Sequence, residues 1–350
     1  MNELSLRIDG SAYTGFKEVA LLKSIEQGPW QFELATAPQH NDNPRFIIED
    51  GMLCQAFVGD ELALTGFVDD VNIDYDATTH EAQVTGRSRV GDLVDCSMQG
   101  QQMKAGQSLL AIALAFCEPF NITVNVDASA FEAANEPFAT LDQSLDAGQP
   151  VWEFLESLAR MRAVLLVSNA AGGLTITRAG KVWSQTPLVL GHNILSAKSH
   201  RSHRTLFSEY NVNAQQPLLT NNNEDNSQIT ATVPGQARRF RPQVLHSDNP
   251  GDRAACLARA SWQQRVNWGR SQRQTYTVSG WHQDNGKLWQ PGLLVPVTDP
   301  FCRLKNAPLL ITQTRLQQRQ ATGQTTELTL MPKEAFELMA SAIDAVEGLA

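Results

Sequence analysis

Four aspartates crowd one stretch of the chain, Asp69-Asp70-Val71-Asn72-Ile73-Asp74-Tyr75-Asp76. Two carboxylates held a few ångströms apart could serve as the acid and base of a glycoside hydrolase. In a strand, however, Asp70, Asp74 and Asp76 alternate with Val71, Ile73 and Tyr75, and successive side chains point to opposite faces. The pattern reads as an outer polar face rather than a catalytic pair. His200 and His203 stand three apart, which could suit two metal-binding imidazoles, but no Glu lies between them and no third ligand is evident. The chain has seven histidines and many serines, yet no Gly-x-Ser-x-Gly elbow to present a nucleophile. Gly59 and Gly172-Gly173 read as turns, not as a loop cradling phosphate. No catalytic residue, cofactor or metal site is therefore expected.

The remaining chemistry is positive charge. Lys198, His200, Arg201, His203 and Arg204 form one basic cluster, and Arg238, Arg239 and Arg241 a second. Such runs can meet a neighbouring subunit or an acidic partner, sit solvated on loops, or touch DNA. Protein contact is the reading adopted, with Lys198, Arg201, Arg204, Arg238, Arg239 and Arg241 as the contact candidates. A chain of 350 residues with 28 Lys+Arg against 37 Asp+Glu, formal net charge −9, is a poor general binder of nucleic acid.

Hydrophobic residues make up 42% and charged ones 19%, which excludes a disordered chain. The length suits two or three domains. No apolar run is long enough to span a membrane, and the alternating start Met1-Asn2-Glu3-Leu4-Ser5-Leu6-Arg7 predicts no secretory leader. Five scattered cysteines without a Cys-x-x-Cys pair argue against a disulfide framework and suit a reducing compartment.

The elements that must carry these residues begin as β. Leu4, Leu6 and Ile8 alternate before Asp9-Gly10, a longer run covers residues 13–26, and Trp30-Gln31-Phe32-Glu33-Leu34 alternates again. A polar loop (38–44) follows, then apolar runs at 46–48, 52–58 and 62–75, with Gly59-Asp60 as a hairpin signal. Many short strands at close spacing predict a small barrel or sandwich. Residues 107–117 read as a helix stopped by Pro119. A second helix starts at Pro150, with Val151, Phe154, Leu155, Leu158 and Met161 as its buried stripe. Residues 164–168 and 174–178 form a hairpin. Strand pattern returns at Tyr210, Val212 and Ala214, before a solvated loop at 221–226. A third helix covers about 252–270 with Ala255, Leu257, Ala258, Trp262 and Val266 as inner candidates. Trp262 and Trp268, six apart, are packing residues rather than a shared site.

The two β regions repeat one layout. Gly51-Met52-Leu53, then Leu62 to Val68, then Gln83-Val84-Thr85 and Gly91-Asp92-Leu93 mark the first copy. Pro291-Gly292-Leu293, then Leu309 to Arg315, then Glu327-Leu328-Thr329-Leu330 and Lys333-Glu334-Ala335-Phe336 mark the second. Each is a strand pair, a polar turn, a return strand and a short helical exit.

Taken in order, these pieces resemble the Mu-like phage tail baseplate hub proteins, relatives of other contractile-tail hubs and of the hub part of type VI secretion spike proteins. The carriers are Tyr13-Thr14-Gly15-Phe16, Leu64-Thr65-Gly66-Phe67-Val68-Asp69, Thr85-Gly86-Arg87 and Asp92-Leu93-Val94-Asp95-Cys96. In the middle comes Val151-Trp152-Glu153-Phe154-Leu155, and later Arg238-Arg239-Phe240-Arg241-Pro242 and Leu288-Trp289-Gln290-Pro291-Gly292. The likeness runs to about Phe336. It implies an α+β, mainly β fold with two tube-like β-barrel domains, an α/β module between them and helical additions. The expected divisions are a first barrel over 1–98, the α/β module over 99–188, a second barrel over 189–336 with an inserted helix at about 252–270, and a C-terminal helix over 337–350. It further implies a non-enzymatic homotrimer without cofactor, assembled in the host cytoplasm and placed in the virion baseplate. Three chains with two similar barrels each would form a pseudo-sixfold ring joining tail tube to spike, through which DNA passes unbound and without membrane insertion by this chain. The alternatives are a type VI secretion spike hub component and a tail-associated cell-wall hydrolase.

Overall fold

A computed structural model describes residues 3–8, 10–36, 48–77, 80–99, 106–138, 145–214, 229–246, 253–319 and 322–336. The chain divides into two compact units. One is Met1–Ser196 with Tyr276–Thr329; the other is Ala197–Thr275 with the chain from Leu330 onward. The expected loops at 38–44 and 221–226 and the C-terminal helix over 337–350 lie outside the described residues.

The first ninety residues supply β1 (Leu4–Ile8), β2 (Ser11–Tyr13), β3 (Glu18–Ser24), β4 (Gln31–Thr36), β5 (Leu53–Val58), β6 (Glu61–Tyr75) and β7 (His80–Ser88). Leu4, Leu6 and Ile8 are buried while Arg7 between them is exposed, as half-buried alternation requires. The long run from Tyr13 is broken between β2 and β3, where Gly15 takes a positive φ. These strands pair in the order β3-β4-β7-β6-β5-β1-β2. Where β6 crosses β7 the backbones approach so closely that only glycine fits. A Cβ on Gly66 would stand 1.8 Å from the Arg87 carbonyl oxygen, and one on Gly86 2.2 Å from that of Phe67. β5 accompanies β6 only as far as Phe67. The outer half of β6, residues 70–74, has β7 on one side and, among the described residues, no strand on the other.

A module with its own core follows: α1 (Gly91–Asp95), α2 (Leu109–Cys117), β8 (Val124–Val126), α3 (Phe131–Asn135), α4 (Val151–Met161), β9 (Leu165–Ser168) and β10 (Leu174–Thr177). The Ser108 hydroxyl accepts from the Ala111 N–H and starts α2. Pro150 is the extended residue that caps α4, one position earlier than a first helical residue. Val151, Phe154, Leu155 and Leu158 are buried as expected, whereas Met161 in the last turn is 49% exposed. β9 and β10 form the expected hairpin, and β8 lies parallel to β10. Phe116 of α2 meets Phe154 of α4 at 5.3 Å between ring centroids, in the middle of this core.

The second half contains β11 (Val182–Trp183), β12 (Leu188–Val189), β13 (Ile194–Arg201), β14 (Glu209–Ala214), β15 (Ile229–Pro234), β16 (Pro242–His246), α5 (Arg253–Arg270), β17 (Gln272–Ser279), β18 (Leu293–Asp299), β19 (Leu304–Arg319) and β20 (Gly323–Pro332). In the second unit β14 is the centre of a small sheet, antiparallel to β15 and parallel to β16. The inner face of α5 matches the expected one at Val266 and differs at Leu257 and Trp262, while the side chains of Ala255 and Ala258 lie outside the described residues. Cys256, Ala260 and Val266 are buried, while Leu257 is 39% exposed and Trp262 only partly covered. Cys256 and Ala260 are small, so the helix can lie close on Tyr210, Val212 and Ala231.

The strand order settles the repeat. β3-β4-β7-β6-β5 in the first region recurs as β13-β17-β20-β19-β18 in the second. A short helical turn follows each copy, α1 after β7 and residues Lys333–Ala335 after β20. The fold is α+β and mainly β, as expected, but no closed barrel is present among the described residues. The strands form one sheet of fourteen, eleven on an open path and β11, β12 and β18 beside it, because β3 pairs with β19 over Val19↔Gln318 to Ser24↔Gln313. A pairing that joins the two regions takes the place of closure within each.

Two outcomes follow. Gly66→Ala forces β6 and β7 apart and costs about 1–3 kcal/mol, read as a lowered urea midpoint at unchanged slope. Lys23, only 1% exposed, lies with Nζ 3.4 Å from the Gln290 side-chain oxygen and over the Trp30 ring. Burial pulls its pKa down to about 8, against a smaller opposing pull from Glu61. The unfolded chain then binds the extra proton between about pH 8 and the usual lysine range, so stability rises with pH across that window. Unfolding of wild type and Lys23→Met at pH 7 and pH 10 checks this, the wild type gaining relative to the variant at the higher pH.

Candidate assembly surfaces

The two basic clusters lie in the second unit. Lys198 and Arg201 are exposed on β13, and Arg204 is exposed just beyond it. Arg238 and Arg239 are exposed in the connection from β15 to β16, next to Phe240 at 81% exposure. The backbone brings these segments together. The Arg238 N–H donates to His203 Nε2 at 3.1 Å. The Arg241 guanidinium donates to the carbonyls of Arg204 (2.9 Å) and Leu206 (3.2 Å) and lies over the Phe207 ring. Arg241 is thus a half-buried tie within the unit, whereas its neighbours are outward charges. With its Nε2 accepting a backbone proton, His203 is engaged in the fold rather than poised as a metal ligand. Among the described residues no three His, Cys, Asp or Glu side chains cluster to hold a metal ion. Burial pushes the Cys54 and Cys117 thiols up to about 12, which leaves them unreactive.

The aspartate stretch lies on β6. Its expected inner residues are not inside: Ile73 is 63% exposed and Tyr75 76%, so both faces of the outer half meet solvent. Asp69 differs from the others in having an arginine partner. Arg87 on β7 grips it at 2.7 Å through Nε and holds Asp95 of α1 at 2.6 Å through a terminal nitrogen. The Arg87 hydrogen bond draws the Asp95 carboxyl below its ordinary range. This fork fixes the helical exit of the first repeat against its strands, and it was invisible in the sequence except as the neighbouring Thr85-Gly86-Arg87 and Asp92-to-Cys96 strings. A shallow cleft beside it is lined by Glu33, Asp69, Asp70, Arg87 and Arg315. It gathers the Asp69–Arg87 pair, Glu33 with Arg315 at 3.6 Å, and Asp70, which accepts from the Thr85 hydroxyl.

Comparison with known proteins accounts for the whole layout. Residues 3–88 match the family described as Mu phage baseplate assembly protein GpP-like, N-terminal. Residues 90–178 match baseplate hub protein gp44-like, second domain, and residues 253–339 match Mu phage baseplate assembly protein GpP, fourth domain. The chain is 31% identical to the baseplate hub protein gp44 of Escherichia phage Mu, over 96% of this chain and 89% of that one. The 43 kDa tail protein of prophage MuSo2 from Shewanella oneidensis superposes with a TM-score of 0.83 at 30% identity, covering 96% of this chain and all of that one. A tail protein from Neisseria meningitidis MC58 shares the fold at a TM-score of 0.80 and 20% identity, over 96% and 98% of the two chains.

The basic residues separate experimentally. Arg241→Ala strips two carbonyls of their charged donor and costs about 1.5–3 kcal/mol. Arg238→Ala and Arg239→Ala stay within about 0.5 kcal/mol, as exposed changes do. Thermal unfolding of the three variants side by side is the measurement.

Proposed function

This chain belongs to the Mu-like phage baseplate hub family, and from that premise we propose that it is the hub itself, a homotrimer whose six repeated β regions form a pseudo-sixfold ring. The ring joins the tail tube above to a spike below, and DNA passes through it without specific contact. The role is structural: the chain positions neighbours and performs no chemistry of its own. It assembles in the host cytoplasm, and no helix among its described residues is long and apolar enough to cross a membrane.

The observation that carries this reading is the recurrence of one five-strand order in each half of the chain. A closed ring needs matching patches on successive members. Two like halves per chain let three chains offer six like members to a sixfold tube while keeping threefold symmetry for a spike. The tube-like character expected of each half would then arise in the ring, since each half is open by itself. Net charge supports the conduit. At −9 per chain, a trimer does not attract phosphate by counterion release.

Light scattering behind a sizing column tests the proposal. The expected mass is about three times 38.5 kDa, and electron micrographs of that peak show a ring with a central hole. A monomer that persists when the tail tube and spike proteins are added overturns it.

A further inference from the structure

Resting on the trimeric hub reading, we infer that the turn from β18 to β19 is an aromatic anchor by which each chain holds the spike, with Phe301 at its tip entering an apolar pocket that has an acidic rim. The two repeats supply an internal comparison. In the first, β5 passes into β6 through Gly59 and Asp60 alone, the glycine at a φ of 59°. In the second, the corresponding β18 passes into β19 through Pro300, Phe301, Cys302 and Arg303. A two-residue turn therefore suffices to close such a hairpin, and the longer loop serves something other than strand pairing. It carries Phe301 at 91% exposure, followed by exposed Arg303 and Lys305. The tight turn has no aromatic residue, and its exposed Asp60 and Glu61 are acidic.

A single exposed apolar side chain is ordinary by itself. What sets Phe301 apart is the buried structure that holds it out. Asp299 is 1% exposed, and its Oδ1 accepts from the N–H groups of Phe301 at 3.0 Å and Cys302 at 3.3 Å. Its Oδ2 accepts from the hydroxyl of Tyr276, a fully buried residue of β17, at 3.0 Å. The Arg303 N–H donates to the Pro300 carbonyl at 3.1 Å, and the Asn306 N–H to the Thr298 hydroxyl at 3.3 Å. Arg303 takes a φ of 58°, a left-handed conformation that persists in an arginine only where its surroundings impose it. A backbone fixed in this way presents the ring with little freedom left to lose on binding.

Symmetry then selects the partner. The pairings that lead from β6 through β7, β4 and β3 to β19 are all antiparallel. β6 and β19 therefore run the same way, and the two turns that start them lie at one end of the sheet. Around three chains that end shows a basic aromatic tip three times, alternating with an acidic tight turn. A sixfold tube would need one kind of pocket to accept both, whereas a threefold spike needs it only at the three Phe301 positions. Arg303 and Lys305 set the sign of the rim, which is carboxylate.

The test titrates the full-length trimer separately with the spike protein and the tail tube protein of the same tail. Phe301→Ser is expected to weaken spike binding roughly tenfold or more, with trimer mass, tube binding and thermal midpoint unchanged. Phe301→Leu, which keeps apolar bulk, loses less. Arg303→Glu with Lys305→Glu also weakens spike binding, and the loss shrinks at high salt where charges are screened. A Phe301→Ser trimer that binds the spike as wild type does, or a loss that falls on the tube or on the trimer instead, overturns the anchor and leaves the hub standing. A wild-type chain that neither trimerises nor binds either protein overturns both.

Discussion

The ladder between β3 and β19 is the constraint on which the rest of the fold depends. It joins residues about three hundred positions apart, and it merges two β regions into one sheet. Leu21 and Leu316, opposite one another in this ladder, are both fully buried. Neither region can therefore complete its sheet until nearly the whole chain has been made. The entropy of closing so large a loop grows only slowly with length, so the cost to stability is modest. The cost in folding speed is larger, because non-local pairing must be found before it is rewarded.

The α/β module relieves that problem by being self-sufficient. Its core of Leu109, Ile112, Phe116, Phe154, Leu158 and Ile176 draws on residues within about seventy positions. Its helices and hairpin can form while the β regions wait for their last strands. It meets the first β region through a close fit, where a Cβ on Gly28 would stand 2.9 Å from the Trp152 ring. The module's own three-stranded sheet is separate from the sheet that joins the two repeats. Lys23, buried beside Trp30 on β3, shows how firmly that strand is enclosed, since a free lysine would keep its ammonium in water.

Local pattern was legible where burial is decided locally. β1, β4 and β14 have the buried residues that their alternation announced, and α4 has all but Met161 of those its helical spacing announced. The repeat was visible as a layout, because hairpin turns and helical exits recur in order. What pattern does not encode is partner choice between distant strands. Nothing in Val19-Ala20-Leu21 points to Leu316, so two separate barrels were the natural expectation and one shared path is what the strands make. The phase of α5 was missed for a different reason: its inner face is built from Cys256 and Ala260, which carry little hydrophobic signal, while the more apolar Leu257 faces out. Among the arginines, sequence gave equal weight to Arg238, Arg239 and Arg241. Only geometry distinguishes the one whose guanidinium is spent on two carbonyls.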